Sequence, residues 1–397
     1  MSYPLPPDYT RLRKHAVSPD FDHDERARYN FLANLNRYIA TAIAPGNKLA
    51  YDLRVAPAYE AEHGRPIKDR HEVKEAISRD PIYQTWAALR RSTMEMRQQN
   101  GRAVVLRQAR ELAQKAHEIN QKHDRLQIKS EFKVPPYLRH VDNHLMPGSY
   151  HTSLFEGDVA NAANYDSGIF VTTAGMLGTL TDGGGKAIAA WVKETYPDFK
   201  PSRILDIGCG LGHNTLPIAA MYPEAEVIAI DAGEPMLRYG AARAEDLGVH
   251  NVTFVQADAE DLSAFASGSF DWVQTTMFLH ETGGKAIHRI FKEIGRVTAE
   301  GGLNLHIEQP QYTPEMSCYE QFMRDWDAYY NAEPYWGHMH DLQPESLMAE
   351  AGVPNAQFMQ VGVRAVNDLD PVKQDRKVAE DFGRTPVWNV FGGWKKQ

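Results

Sequence analysis

Arg203-Ile-Leu-Asp-Ile-Gly-Cys-Gly-Leu-Gly-His-Asn214 is the stretch on which the fold turns. Ile204, Leu205 and Ile207 form a short apolar run of the kind buried in a parallel sheet. Gly208, Gly210 and Gly212 follow at alternate positions. Glycines spaced in this way let the chain turn tightly and bring bare backbone against a ligand. A helix is expected from about His213, and the amino end of a helix is an electropositive spot. A glycine loop alone is a weak signal and serves a dinucleotide equally well. The usual dinucleotide pattern is G-x-G-x-x-G, whereas this chain has G-x-G-x-G preceded by Asp206.

Beyond the loop, short apolar runs alternate with helical stretches, which implies a parallel sheet with helices on both faces. EVIAID, residues 226–231, reads as the next strand. Its last residue, Asp231, lies about 20 residues past the glycines, where an acid can grip ribose hydroxyls. VTFVQAD, residues 252–258, reads as a third strand, and the carboxylate of Asp258 is placed to accept a hydrogen bond from an adenine amino group. FDWVQTT (270–276) and GGLNLHIEQP (301–310) read as a fourth and a fifth, and TPVWNVFGGWKK (385–396) suits a closing strand.

These features sit in a chain of 397 residues, 43% apolar and 24% charged, which is ordinary for a globular protein and excludes disorder and collagen-like repeats. The length suggests two or three domains. The sequence lacks any apolar run of about 18 residues, so no membrane span is expected. The first 20 residues show no signal-peptide core. Two cysteines, Cys209 and Cys318, point to a reducing cytoplasm. A net charge of −9 argues against general affinity for nucleic acid.

The composition changes near residue 135. Before it, Pro4, Pro6, Pro7 and Pro19 make residues 1–25 an extended arm. Phe31, Leu32, Leu35, Tyr38, Ile39 and Ala42 recur at helical spacing over 26–44. Residues 68–79 and 81–127 suggest further helices, the second interrupted near Asn100-Gly101. Residues 90–129 carry ten Lys/Arg against four Asp/Glu, which reads as a solvated helix face or as a dock for a phosphate or an acidic partner. Residues 136–200 form a connector with loops at Pro135-Pro136 and Pro147-Gly148 and helices at 169–180 and 184–195. The expected division is therefore a helical region over 1–135, the connector over 136–200, and an α/β domain over 201–397.

Taken in order, Asp206 and the glycine loop, Asp231, Asp258 and the strand that follows them make the chain resemble the class I S-adenosylmethionine-dependent methyltransferases. The resemblance covers residues 165–310 well and the rest to 397 more loosely. It implies an α/β fold: a Rossmann-like seven-stranded sheet with helices on both faces, plus a mainly helical N-terminal region. It implies S-adenosyl-L-methionine as cofactor, with Asp206, Gly208, Gly210 and Gly212 near the methionine end. Asp231 with Ala232 would hold the ribose, and Asp258 with Ala259 would read the adenine. Met236 would pack on the adenine, and Thr275 with Thr276 would line the cofactor and the acceptor. Cys209 is expected as a small filler, because the methyl donor needs no protein nucleophile.

Methyl transfer requires alignment and, for many acceptors, removal of a proton. His280, in FLHET, and Glu308, in LHIEQP, both follow strands at their carboxyl ends, where open α/β sheets bind ligands. The pair resembles the His–Glu dyad in the C-methyltransferase domains of polyketide synthases. That resemblance implies His280 as general base and Glu308 as its orienter. Glu281 stands where that family carries a small residue, which leaves the acceptor atom open. No metal is expected: His280-Glu281 is not H-E-x-x-H, since residue 284 is Gly, and His338-Met-His340 lacks a third ligand at a recognisable spacing. The segment at about 311–345 is rich in aromatic residues, and Trp326, Tyr329, Tyr330 and Trp336 are candidate walls for an acceptor. Packing against the N-terminal helices is an equal alternative for them. Asp325 and Asp327 would orient a polar or cationic acceptor.

The expected function is C- or O-methylation of a small, largely apolar or aromatic metabolite. The N-terminal helices would serve as a lid or as the arm of a homodimer. The alternatives are an RNA or protein methyltransferase using the basic helix, N- or S-methylation by alignment alone, and a cofactor-binding module that only assembles with a partner. The overall acidity speaks against a nucleic-acid partner.

Overall fold

The computed structural model describes residues 5–369 and 387–396. Pro4 and the first two residues of the expected closing segment, Thr385 and Pro386, lie outside the described residues.

Eight strands build one sheet: β1 (Leu126–Gln127), β2 (Arg203–Ile207), β3 (Glu226–Asp231), β4 (Val252–Gln256), β5 (Phe270–Thr276), β6 (Thr298–Ile307), β7 (Phe358–Arg364) and β8 (Val387–Trp394). Their order is β1-β4-β3-β2-β5-β6-β8-β7. The first six are parallel, and β8 runs antiparallel between β6 and β7. Ile204, Leu205 and Ile207 of β2 are fully buried, as expected for a strand covered on both faces. One face packs under the Gly183–Thr195, Thr215–Met221 and Glu234–Asp246 helices, the other under Gly284–Val297 and Pro344–Glu350. The strand order reverses between β2 and β5, the switch point at which such sheets bind ligands.

The sheet has one strand more than the seven expected. β1 comes from the region read as helical and lies on the edge beside β4. Pairing draws it there: Phe254 N donates to Arg125 O at 2.9 Å, and Arg125 ion-pairs with Glu245. A strand of two residues leaves no periodicity to read.

The Pro81–Arg107 helix starts on Asp80, whose side chain accepts from the backbone N–H of Ile82 at 2.9 Å and of Tyr83 at 3.4 Å. The expected break at Asn100-Gly101 is absent; the helix runs through and ends at Gln108. Gly101 is there for proximity, since a Cβ at this position would lie 2.0 Å from Asn164 Oδ1. Asn164 belongs to the Ala160–Thr173 helix, expected at 169–180. That helix is buried on nearly all sides through small residues such as Ala160, Ala162, Ala163 and Gly168, so it shows no amphipathic stripe.

The N-terminal helices share a core with the sheet domain. Val105, Ala109, Leu112 and Ala116 pack with Leu211, Met236, Tyr239 and Ala242. Several cations of the basic run are paired within the chain: Arg90 with Asp327 at 3.0 Å, Arg107 with Glu25 at 2.8 Å and, on the exposed face, Lys115 with Glu111 at 2.8 Å, while Arg97 is buried and donates to Gly168 O at 3.1 Å. Among the described residues no helix is long and apolar enough to cross a membrane.

Candidate functional site

A cavity opens at the carboxyl ends of β2, β3 and β5, walled by the glycine loop. Gly208, Cys209, Gly210, Asp231, Ala232 and Ala259 all line it. Gly208 has φ 72°, and a Cβ there would stand 2.3 Å from the ring of Phe278. Gly210 has φ 53° and open space before it, and its N–H donates to Asp231 Oδ2 at 2.9 Å. Asp231 Oδ1 accepts from Gly233 N at 2.7 Å. Burial pushes the Asp231 carboxyl up to about 6, partly offset by these backbone N–H groups. Bare loop backbone beside a carboxylate at the end of β3 fits a ribosyl ligand.

Other residues expected at the cofactor stand one layer back. Asp206 is buried behind the loop, where it accepts from Thr215 Oγ1 at 2.5 Å and burial raises it to about 6. Gly212 packs under the loop, where a Cβ would press on Phe254 and Leu216. Met236 is fully buried against Leu211 and Tyr239. Asp258 accepts from Glu260 N at 2.9 Å within its own turn, while its neighbours Ala257 and Ala259 reach the cavity. Thr275 bonds His306 Nδ1 at 3.0 Å inside the sheet, so Thr276, which points the other way, lines the cavity with Met277 and Phe278. Burial pushes the Cys209 thiol up, so it stays protonated and acts as a filler.

His280 and Glu308 meet. His280 Nδ1 donates to Glu308 Oε1 at 2.8 Å, and both side chains are buried. Glu308 also accepts from the backbone N–H of Leu279 at 2.7 Å, His280 at 3.2 Å and Gln309 at 2.7 Å. It therefore anchors the whole turn after β5. The other ring nitrogen, Nε2, faces Glu281 Oε1 at 3.8 Å. Burial alone would lower His280, but the charges of Glu308 and Glu281 outweigh it and raise the ring to about 9. His280 itself stands behind the cavity wall, and Glu281 is the member of the row that lines it.

Glu281 is the centre of a network that the sequence did not reveal. Tyr150 OH donates to Glu281 Oε1 at 2.7 Å, and Asn143 Nδ2 donates to Oε2. His144 lies between two acids, with Nδ1 2.7 Å from Glu333 Oε1 and Nε2 3.4 Å from Glu281 Oε1. Despite burial, Glu333 and Glu281 raise His144 to about 10. Residues 143–150, 281 and 333 come from three distant segments, so no spacing in the chain announces the group. A second network ties Asp166 to His213 at 2.6 Å, His15 at 3.0 Å and Tyr239 at 2.7 Å, joining the N-terminal arm to the residue after the glycine loop.

The aromatic segment divides. Trp326, Tyr329 and Tyr330 pack with Val73, Ile77, Tyr83 and Trp86 of the N-terminal helices and do not line the cavity. Trp336 alone among the four reaches the site, its ring 4.6 Å from that of His280. Asp325 pairs with Arg70 at 2.9 Å and Asp327 with Arg90 at 3.0 Å, so neither is directed at an acceptor. His340 Nδ1 bonds Pro310 O at 2.5 Å, and His338 packs over Gly284. The apolar wall of the cavity comes instead from residues that were not singled out: Tyr137, Leu138, Tyr150, Tyr165, Ile169 and Trp388. Backbone strain is concentrated at the site. His144, Thr181, Met277 and Ala332, which precedes Glu333, hold φ of 56°, 57°, 51° and 55°.

Residues 204–302 match a family described as a methyltransferase domain. The chain is 31% identical over 157 residues to the uncharacterized methyltransferase YcgJ of Bacillus subtilis, covering 40% of this chain and 54% of that one. It is 30% identical over 173 residues to the ubiquinone/menaquinone biosynthesis C-methyltransferase UbiE of Yersinia pestis, covering 39% of this chain and 68% of the relative. Among solved structures, a putative O-methyltransferase from Nostoc punctiforme superposes with a TM-score of 0.42 at 14% identity, over 59% of this chain and 60% of that one. The chain spans about a third to just over a half of the length of the first curated relatives it matches.

Proposed function

The chain belongs to the class I S-adenosylmethionine-dependent methyltransferases, and from that premise we propose that it methylates a carbon or oxygen atom of a small, largely apolar or aromatic acceptor. One observation carries this reading. The row Glu308–His280–Glu281 ends on the wall of the cavity that also holds the glycine loop and Asp231. When bound, S-adenosylmethionine supplies an electrophilic methyl on a sulfonium cation, a charge that also opposes a second positive charge on His280. Asp231 and the loop backbone hold the adenosyl part. Tyr137, Leu138, Ile169 and Phe278 exclude water from the acceptor. Glu281 contacts the acceptor, and His280, whose ring Glu308 orients, takes the proton in the neutral form that the sulfonium charge favours over the raised resting state. The Yersinia relative is named a C-methyltransferase, which supports carbon as the accepting atom. Arg90 and Arg97, sequestered in contacts within the chain, are withheld from an RNA acceptor.

The test is transfer of labelled methyl from S-adenosylmethionine to a small-molecule extract, with bulk RNA and protein extract in parallel. Label should enter the small-molecule fraction alone. His280→Ala should cut that turnover by roughly 10²–10⁴-fold, with cofactor affinity unchanged by calorimetry. Label entering RNA or protein, or full turnover in a folded His280→Ala variant, would refute the reading.

A further inference from the structure

We propose that the wall of this cavity binds a divalent metal ion through His144, Glu281 and Glu333. The inference rests on the reading that this cavity is where methyl transfer takes place, and it adds a group that the reaction scheme above does not contain. One ligand atom from each of the three residues lies within 4.8 Å of the other two. Both nitrogens of His144 already stand close to a carboxylate oxygen, at 2.7 Å and 3.4 Å. Ligand atoms on an ion with bonds of roughly 2.1 Å are separated by about 3.0–3.4 Å. An ion can bond only one of these nitrogens, with its proton displaced, so the carboxylate on the other edge of the ring must turn to join it.

An independent observation points to a ligand. Two buried oxygens beside the cluster have no donor. Glu333 is 0% exposed and its Oε2 is unpartnered. Asn143 is 1% exposed, and its Oδ1 is unpartnered while its Nδ2 is engaged by Glu281. Other buried oxygens of the chain, such as Asn47 Oδ1 and Asn331 Oδ1, are also unpartnered; what sets these two apart is their place beside a carboxylate–imidazole cluster, where a cation can gather them. Tyr150 OH, 2.7 Å from Glu281 Oε1, orients that carboxylate as outer hydrogen bonds do around metal ligands.

The donor set of one imidazole with carboxylate and amide oxygens suits Mn²⁺, Fe²⁺ or Zn²⁺. Of the three residues Glu281 is the one that lines the cavity, so an ion held there would meet an acceptor from the Glu281 side. This narrows the substrate class to acceptors that carry an oxygen ligand, such as a hydroxyl, an enol or a carboxylate, next to the atom that is methylated. The ion would favour the deprotonated form of that oxygen, with His280 alongside to receive the proton.

The full-length chain, stripped with a chelator, should be titrated calorimetrically with Mn²⁺ and separately with Zn²⁺. One ion per chain should bind saturably, and His144→Ala and Glu333→Gln should weaken binding by about 100-fold or more. Titration of the same samples with S-adenosylmethionine reports on the cofactor cavity alone. Retained cofactor affinity shows that a variant is folded, and the methyltransferase reading then stands or falls separately from the metal. No saturable binding of either ion to the wild-type chain overturns the site, as does binding that both variants keep. Should a variant lose the cofactor as well, the spin-echo spectrum of Mn²⁺ on the wild-type chain decides. Coupling to one imidazole nitrogen supports the site, and its absence overturns it.

Discussion

Asp231 shows how much one side chain settles. Its two oxygens already accept from Gly210 and Gly233, so it shapes the loop while its remaining lone pairs face the cavity. We predict that Asp231→Ala weakens S-adenosylmethionine binding by about 1.5–3 kcal/mol, the range for hydrogen bonds to a charged group. The pH dependence follows from the raised pKa. The carboxylate is the form that accepts from a ribose hydroxyl, and it is lost as pH falls through about 6. Affinity should therefore drop by about tenfold between pH 7 and pH 5 in the wild type and stay flatter in the alanine variant. Calorimetry at several pH values checks both. Glu308 gives the opposite lesson. Its position at the end of a strand was readable, but its anchoring of three backbone N–H groups was not, because that depends on where the turn after β5 lands. Glu308→Gln leaves one oxygen where two are needed and turns an N–H₂ toward donors. It should lower folding stability by about 2–4 kcal/mol, measured by thermal unfolding, on top of any loss of turnover.

Among the elements, the Pro81–Arg107 helix is the clearest case of a local rule overruled by packing. Glycine in a helix interior is normally a weak point, and alanine there adds up to about 1 kcal/mol. At residue 101 the sign should reverse. An added Cβ would meet Asn164 Oδ1 and Tyr29 OH, at 2.0 Å and 2.9 Å, where two helices cross closely. Gly101→Ala should destabilise the protein by about 1–3 kcal/mol, seen as a fall in the denaturant midpoint. A midpoint that rises would mean that the helices do not approach in this way. The aromatic segment illustrates the same limit. Its composition announces burial, but Trp326 finds its partners in Tyr83 and Trp86, while Trp336, ten positions on, meets His280. Nothing in the order of the residues separates those two fates.

Across the whole molecule, the helical region belongs to the same core as the sheet. Val105, Leu112 and Ala116 cover Met236 and Tyr239, Tyr83 and Trp86 cover Phe322 and Trp326, and β1 closes an edge of the sheet. A detachable lid would leave the cofactor domain intact when removed. Here, a chain beginning at residue 131 should expose these apolar faces and aggregate, with its S-adenosylmethionine binding lost in consequence. Size-exclusion chromatography of the truncated chain tests this, and a monodisperse, cofactor-binding product would count against it.

The sequence by itself determined the central strands of the sheet and the glycine loop between them. Strand–loop–helix signals are local: Ile204, Leu205 and Ile207 must be buried, Gly208 and Gly210 must turn, and Asp231 must end the next strand, whatever the rest of the chain does. His280 and Glu308 were legible for the same reason, each standing just past a strand end. Only the tertiary structure decided what surrounds them. His144, Glu281 and Glu333 are far apart in the chain and are joined because buried charges must find partners once the chain is compact. It also decided which residue of a pair faces the cavity, as with Thr276 rather than Thr275 and Ala259 rather than Asp258. Thr275 and Thr276 alternate because adjacent side chains on a strand point in opposite directions, whereas Ala259 and Asp258 are parted by the turn that follows β4.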